Sequence, residues 1–195
     1  MKWIILDISA YLGLAATIAL TLNYVFGTMI ATAYRRSFYW KKLPVRFKTI
    51  HVYKWHNRVA YIALFLVVVH PLVLLLDRST KFNFMDIIFP VEAPTQKLVV
   101  GLGTIAMFAF ILVVLTSQRA VRRRLTFRAW KNIHLISYGT ALLFIIHGIL
   151  IDPQLQDKPV DYFDGEKLVS VGCLVLLIGA TVFRIRYELN KKRIG

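Results

Sequence analysis

The apolar residues of this 195-residue chain fall into five long blocks that polar connections separate. A hydrocarbon layer of roughly 30 Å is crossed by about 20 helical residues, so each block is long enough to span a membrane as one helix. A water-soluble core has no use for five such blocks. The pattern therefore predicts an all-α integral membrane bundle whose spans cover about Ile4–Ala33, His56–Leu76, Leu98–Thr116, Ile133–Ile151 and Leu168–Ile185.

The spans account for almost all of the apolar sequence, so we expect a single transmembrane domain over residues 1–195. The chain holds no G-x-G-x-x-G motif for a dinucleotide, and we expect no soluble flavin or NADPH domain. The single cysteine, Cys173, excludes an intrachain disulfide, and its place within an apolar block favours a small buried hydrophobe.

The charge of the chain divides between the two sides of the predicted bundle. Of the 25 Lys and Arg residues, 19 lie in the stretches 35–58, 119–131 and 184–195, which alternate with the spans onto one side. Nine of the ten acids lie on the other side. Because cytoplasmic loops carry the basic excess, we expect the N-terminus outside and the C-terminus in the cytoplasm. This alternation favours a lipid bilayer as partner and argues against nucleic acid, despite a net charge of +15.

Four of the five histidines lie in the second and fourth spans, as the pairs His56/His70 and His134/His147. Polar side chains inside a membrane are costly and mark functional sites, although a lone histidine more often serves helix packing. Separations of 14 and 13 residues rise roughly 21 and 19.5 Å along a helix. The two spans run in the same direction, so His56 comes level with His134, and His70 with His147.

Two facing imidazoles at one depth, with a flat macrocycle between them, form a bis-histidine haem site. The pattern therefore predicts two haems, one toward each membrane surface, with His56, His70, His134 and His147 as ligands. The chain has no C-x-x-C-H motif, so such haems are not covalently attached.

The 14-residue and 13-residue spacings place the two histidines of each span in different relative directions around the helix. Fourteen residues return to within about 40° of the starting direction, which places His56 and His70 on one face. Between them on that face lie Ala60, Ala63 and Val67, which are small enough to admit a ring. Thirteen residues leave a rotation of about 140°, so we expect a local distortion or tilt between His134 and His147.

Zinc is the competing metal, but a structural zinc ion requires four ligands in one tetrahedral cluster. Ligands spread over roughly 20 Å of depth do not supply it. The remaining histidine, His51, precedes the second span, and we assign it a surface role because it has no partner at its level.

The stretch 55–150 resembles the ferric-reductase-like transmembrane family, which includes NADPH oxidase membrane cores and bacterial sulfoxide-reductase haem subunits. The resemblance is carried by Trp55-His56-Asn57-Arg58, His70-Pro71, Leu115-Thr116-Ser117, Arg128–His134, Tyr138 and His147. It implies that the four paired histidines are axial ligands and that the 13-residue spacing is a family trait. Without a flavin domain the chain is similar to the sulfoxide-reductase subunit, but that subunit commonly lacks a histidine matching His56. The presence of His56 favours two haems.

We therefore expect a membrane di-haem b-type cytochrome that carries electrons across the bilayer, placed in a bacterial inner membrane. A cytoplasmic flavin reductase or a quinol would be the donor, with any flavin on that separate protein. A periplasmic reductase or a small acceptor would receive the electrons on the outer side. Two alternatives remain open: a self-contained ferric or oxygen reductase acting at the outer haem, and a haem-free membrane scaffold or transporter.

Three basic residues near the inner histidines, Arg58, Arg128 and Lys131, are candidates for binding haem propionates. An equally strong interpretation is that they contribute only to the positive charge of the cytoplasmic face. No constellation of catalytic residues is recognisable in the outer connections.

Overall fold

The computed structural model describes residues 2–36, 38–42, 44, 51–156, 159, 161 and 163–194. The predicted basic residues Arg46 and Lys48 and the predicted outer acid Asp157 lie outside the described residues. Within them, five long helices make up most of the chain. They are α1 Lys2–Ala31, α2 Val52–Leu74, α3 Lys97–Ser117, α4 Phe127–Leu150 and α5 Gly165–Ile194.

Each of these five helices contains a segment long and apolar enough to cross a membrane, which confirms the predicted bundle. The helices extend beyond the predicted spans at several ends, most of all at α5, which continues to Ile194 instead of ending near Ile185. Hydropathy locates the part of a helix that suits hydrocarbon, whereas the backbone hydrogen bonds of the helix continue into the polar region.

The helices pack as two pairs joined by a fifth. Helix α1 lies along α2, α3 lies along α4, and α5 contacts both α1 and α4. In the described part of the chain, the backbones of α2 and α4 scarcely approach each other. The two histidine-bearing helices therefore face each other across a gap, and each has a neighbouring helix at its back.

The centre of the bundle is filled by small and apolar side chains. On α2, between His56 and His70, Ala63 and Val67 are almost completely buried and Ala60 is partly buried. They pack in one cluster with Ala16 of α1 and Phe110 of α3. Cys173 is also buried, in a second cluster that includes part of α5, as the sequence predicted.

The connection between α2 and α3 includes the short helix Phe84–Ile88, whose first turn is capped by Asn83. This helix rests on the bundle through buried Ile87, whose carbonyl accepts a 3.1 Å hydrogen bond from the Thr104 hydroxyl on α3. It covers the end of the bundle where α2 ends and α3 begins.

Candidate functional site

The four predicted histidines meet in two pairs across the gap between α2 and α4. The ring centroids of His56 and His134 are 6.3 Å apart with planes at 69°, and those of His70 and His147 are 6.3 Å apart with planes at 72°. The two pairs thus have almost the same geometry despite the unequal spacing along α2 and α4. Helix α4 is continuous from Phe127 to Leu150, so the 13-residue spacing is accommodated without a break.

Three of the imidazoles have Nδ1 hydrogen-bonded to a backbone carbonyl of the helix behind them. The Nδ1···O distances are 3.1 Å from His56 to Asn23, 2.7 Å from His70 to Ser9, and 2.8 Å from His147 to Val99. A carbonyl only accepts, so Nδ1 must carry the proton and donate it. The other nitrogen, Nε2, is then the one with a free lone pair, as metal-binding histidines require.

Glycines allow these three imidazoles to reach the backbone. A Cβ atom added at Gly13 would lie 3.0 Å from the His70 ring, and one at Gly103 would lie 2.9 Å from the His147 ring. At Gly27 the corresponding distance to the His56 ring is 3.3 Å. Each glycine follows the accepting carbonyl by four residues, so a side chain added there would press on the imidazole close to its hydrogen bond, most at Gly103 and least at Gly27.

The ring separation fits an iron ion bound by both imidazoles of a pair. A bond from a metal to an imidazole nitrogen is about 2.0–2.1 Å long. The ring centroid lies roughly 1.1 Å beyond that nitrogen, so two imidazoles on opposite sides of one ion would place their centroids about 6.2–6.4 Å apart. The observed value is 6.3 Å in both pairs. Each pair of imidazole nitrogens could therefore hold the iron of one haem.

A cavity opens at the His70/His147 pair, and both histidines line it. Its walls are mainly apolar and include small residues of three helices, among them Gly13, Gly103 and Gly148. Mostly apolar walls with a few polar groups are the usual setting of a cofactor.

The His56/His134 pair has a more polar surround. The Trp130 ring stacks on His134 with centroids 5.0 Å apart, and the Arg122 guanidinium lies 4.6 Å from the centroid of the Trp130 indole. Arg184 of α5 lies 4.9 Å from the centroid of the Tyr138 ring, one helical turn after His134 on α4. A cation at this depth suits an anionic group beside the imidazole pair.

The three basic residues predicted from the sequence lie at the same end of the bundle but on its surface. The side chains of Arg58, Arg128 and Lys131 are exposed, and Arg58 lies 5.7 Å from the centroid of the Trp55 ring. Their assignment to haem propionates stays a prediction. Arg184, which sequence reasoning passed over as one of many basic residues in the last stretch, is a fourth candidate. His51 is exposed immediately before α2.

A family model described as the ferric reductase like transmembrane component matches residues 12–146. That range includes His56, His70 and His134 and ends one residue before His147. The chain belongs to the ferric reductase-like transmembrane family, which confirms the resemblance that the sequence indicated. With its five apolar helices, it is an integral membrane protein of the electron-transfer kind. Comparison with curated proteins gives no match.

Proposed function

We propose that the protein is a di-haem b-type cytochrome that moves electrons from a cytoplasmic donor across the membrane to an acceptor on the outer side. The observation that carries this proposal is the pairing of four histidines at two levels with one ring separation, 6.3 Å. Bound haem would supply one-electron redox chemistry at each level.

The hydrogen bonds of the histidines support a metal site over a structural one. Imidazoles that only joined helices would need no free nitrogen facing a partner imidazole across a gap. Here three Nδ1 atoms are bound to carbonyls of α1 and α3, which leaves Nε2 for a ligand. This arrangement disfavours the haem-free scaffold or transporter.

The protein's own residues would orient and insulate the two sites. The carbonyls of α1 and α3 would fix the ring orientation of three ligands, and the buried apolar cluster around Ala63 and Phe110 would exclude water from the region between the two levels. Because the pairs are about 21 Å apart along α2, electrons would enter at one face and leave at the other.

The charge distribution supports the proposed orientation of the bundle in the membrane. Positive charge collects at the end of the bundle that holds His56 and His134, which is expected to face the cytoplasm of a bacterial inner membrane. A flavin reductase or quinol would reduce the inner pair, and a periplasmic reductase or small acceptor would oxidise the outer pair. The chain of residues 1–195 would act as one transmembrane electron-transfer domain.

The self-contained reductase remains the second candidate, because the cavity at His70 and His147 lies at the proposed outer end. The reduced protein, mixed with oxygen or a ferric chelate, separates the two functions. Rapid reoxidation by either would favour the self-contained enzyme. Slow reoxidation, together with rapid reoxidation by an outer partner, would favour the electron-transfer subunit.

The haem content of the purified protein tests the proposal directly. We expect two haems per chain by pyridine haemochrome assay and an absorption spectrum with low-spin b-type bands. His70→Ala should retain one haem that a reductant still reduces, and it should abolish electron transfer across proteoliposomes. His51→Ala is the matched control, since His51 is exposed and outside both pairs. A wild-type protein without low-spin haem would disprove the proposal.

A further inference from the structure

Helices α1 and α3 support the histidines through the same pattern of carbonyls and glycines, except at one position of α3. On α1, the accepting carbonyls of Ser9 and Asn23 are 14 residues apart, and the glycines that follow them, Gly13 and Gly27, have the same separation. On α3, the carbonyl of Val99 and Gly103 form the same unit for His147. Fourteen residues further along α3, the equivalent positions are Val113 and Ser117.

Ser117 therefore occupies the position that glycine holds at the other three ligands. Its hydroxyl donates to the Val113 carbonyl at 2.8 Å and lies 3.3 Å from Nδ1 of His134. A serine hydroxyl can donate only one hydrogen bond, and that of Ser117 goes to the Val113 carbonyl. The hydroxyl oxygen must therefore accept the hydrogen bond from Nδ1 of His134. The serine oxygen is thus inserted between the imidazole and the carbonyl that a glycine would leave accessible.

This difference weakens the hydrogen bond of one ligand. The 3.3 Å distance at His134 exceeds the 2.7–3.1 Å of the three carbonyl contacts, and N–H···O bonds weaken as they lengthen. The strength of that bond sets how basic a ligating imidazole is, and a more basic imidazole favours oxidised iron.

We propose that Ser117 is a positioning residue that raises the midpoint potential of the His56/His134 haem above the value that glycine at this position would give. The inference rests on the proposed function, because it requires a haem at that pair. A higher potential at the inner pair makes its reduction by a cytoplasmic donor more favourable.

Two substitutions at one position should shift the potential in opposite directions. Ser117→Gly removes the hydroxyl and the Cβ, so Nδ1 of His134 can approach the Val113 carbonyl and the potential should fall. Ser117→Ala removes the acceptor but keeps the Cβ that blocks the carbonyl, so the potential should rise. We expect several-fold changes in the reduction equilibrium, for which a tenfold change corresponds to about 59 mV in a one-electron couple.

The measurement is a spectroelectrochemical titration of the purified full-length two-haem protein, repeated in the His70→Ala background to identify which of the two potentials belongs to the inner haem. Thr116→Val is the matched control: the Thr116 hydroxyl bonds the carbonyls of Leu112 and Val113 at 2.8 and 3.1 Å within its own helix. It should leave both potentials unchanged. Ser117→Thr, which keeps the hydroxyl, should also stay near the wild-type value.

Opposite shifts confined to the inner haem would support the inference. Equal potentials in all variants, shifts of one sign in both, or shifts confined to the outer haem would overturn it. These results differ from failure of the proposed function, in which the wild-type protein itself would lack two haems. If either Ser117→Gly or Ser117→Ala loses haem, the other variant still tests the inference: an inner potential that does not fall in Ser117→Gly, or does not rise in Ser117→Ala, would overturn it.

Discussion

At the scale of single residues, the geometry of the histidine pairs depends on glycines as well as on the histidines themselves. Three glycines let imidazoles lie against the helices behind them, and the available space differs between them. It is smallest at Gly103, where an added Cβ would lie 2.9 Å from His147, and larger at Gly27, where the distance to His56 is 3.3 Å. This order predicts how strongly each site tolerates alanine.

Gly103→Ala should displace the His147 imidazole and reduce haem retention at the outer pair to less than half. Gly27→Ala should cause a smaller loss at the inner pair, because its neighbour has to move by only a few tenths of an ångström. Haem per chain and the resolved titration of each haem provide the measurement. Gly172→Ala on α5 is the control, since an added Cβ meets nothing within 4 Å there. Equal retention in all three proteins would contradict the role of the glycines.

The sequence predicted that the four histidines pair, but not which groups orient them. His56, His70, His134 and His147 stand out because polar side chains are rare in apolar spans and their spacing matches a helix crossing the membrane. The carbonyl acceptors carry no side-chain signal at all, and they become partners only when α1 packs on α2. One signal was available: Gly13 and Gly27 are separated by 14 residues, the same interval as His56 and His70.

At the scale of helices, the end of α4 is held by a cation from α5. The Lys167 ammonium donates to the carbonyl of Gly148 at 2.9 Å and also to that of Ile151, and the side chain is only 3% exposed. The last carbonyls of a helix have no partner within it, and a positive charge is favourable at that end. Lys167 therefore secures the turn that follows His147.

Lys167→Met should lower the free energy of unfolding by about 1.5–3 kcal/mol, the usual contribution of hydrogen bonds to a charged group. Because the affected turn follows His147, the outer haem should be released at a lower temperature than the inner one. Thermal unfolding in detergent, followed by absorbance of each haem, measures both effects. Lys191→Met, an exposed position on the same helix, should behave as wild type. A Lys167→Met protein as stable as this control would refute the assignment.

The helices themselves followed closely from the hydrophobic pattern, while their ends did not. Helix α4 begins at Phe127, six residues before the predicted Ile133, because Thr126 caps its first turn through a 3.2 Å hydrogen bond from the Ala129 amide. Such a cap stabilises a polar first turn that hydropathy alone assigns to a connection. The pairing of α1 with α2 and of α3 with α4 required the three-dimensional contacts.

At the scale of the whole molecule, the proposed orientation assigns each connection to one side of the membrane. Arg124, between α3 and α4, should face the cytoplasm, and Val91, between α2 and α3, should face outward; both side chains are exposed. A membrane-impermeant maleimide added to right-side-out vesicles should label Val91→Cys and leave Arg124→Cys unmodified until the membrane is opened. The wild-type chain is the control, because its Cys173 is only 6% exposed. The reverse labelling pattern would require the direction of electron flow to be inverted.

Matching 14-residue intervals occur on α1 between Gly13 and Gly27, on α2 between His56 and His70, and on α3 between Val99 and Val113. The number of residues in each interval therefore cannot change without breaking the match. One residue inserted between Gly13 and Asn23 would turn everything beyond it by about 100° and advance it by about 1.5 Å. The Asn23 carbonyl would then point away from His56, although every original side chain would still be present. Homologues should accordingly vary in the length of their connections while keeping these intervals unchanged, so insertions and deletions are a more sensitive record of this architecture than amino-acid identity.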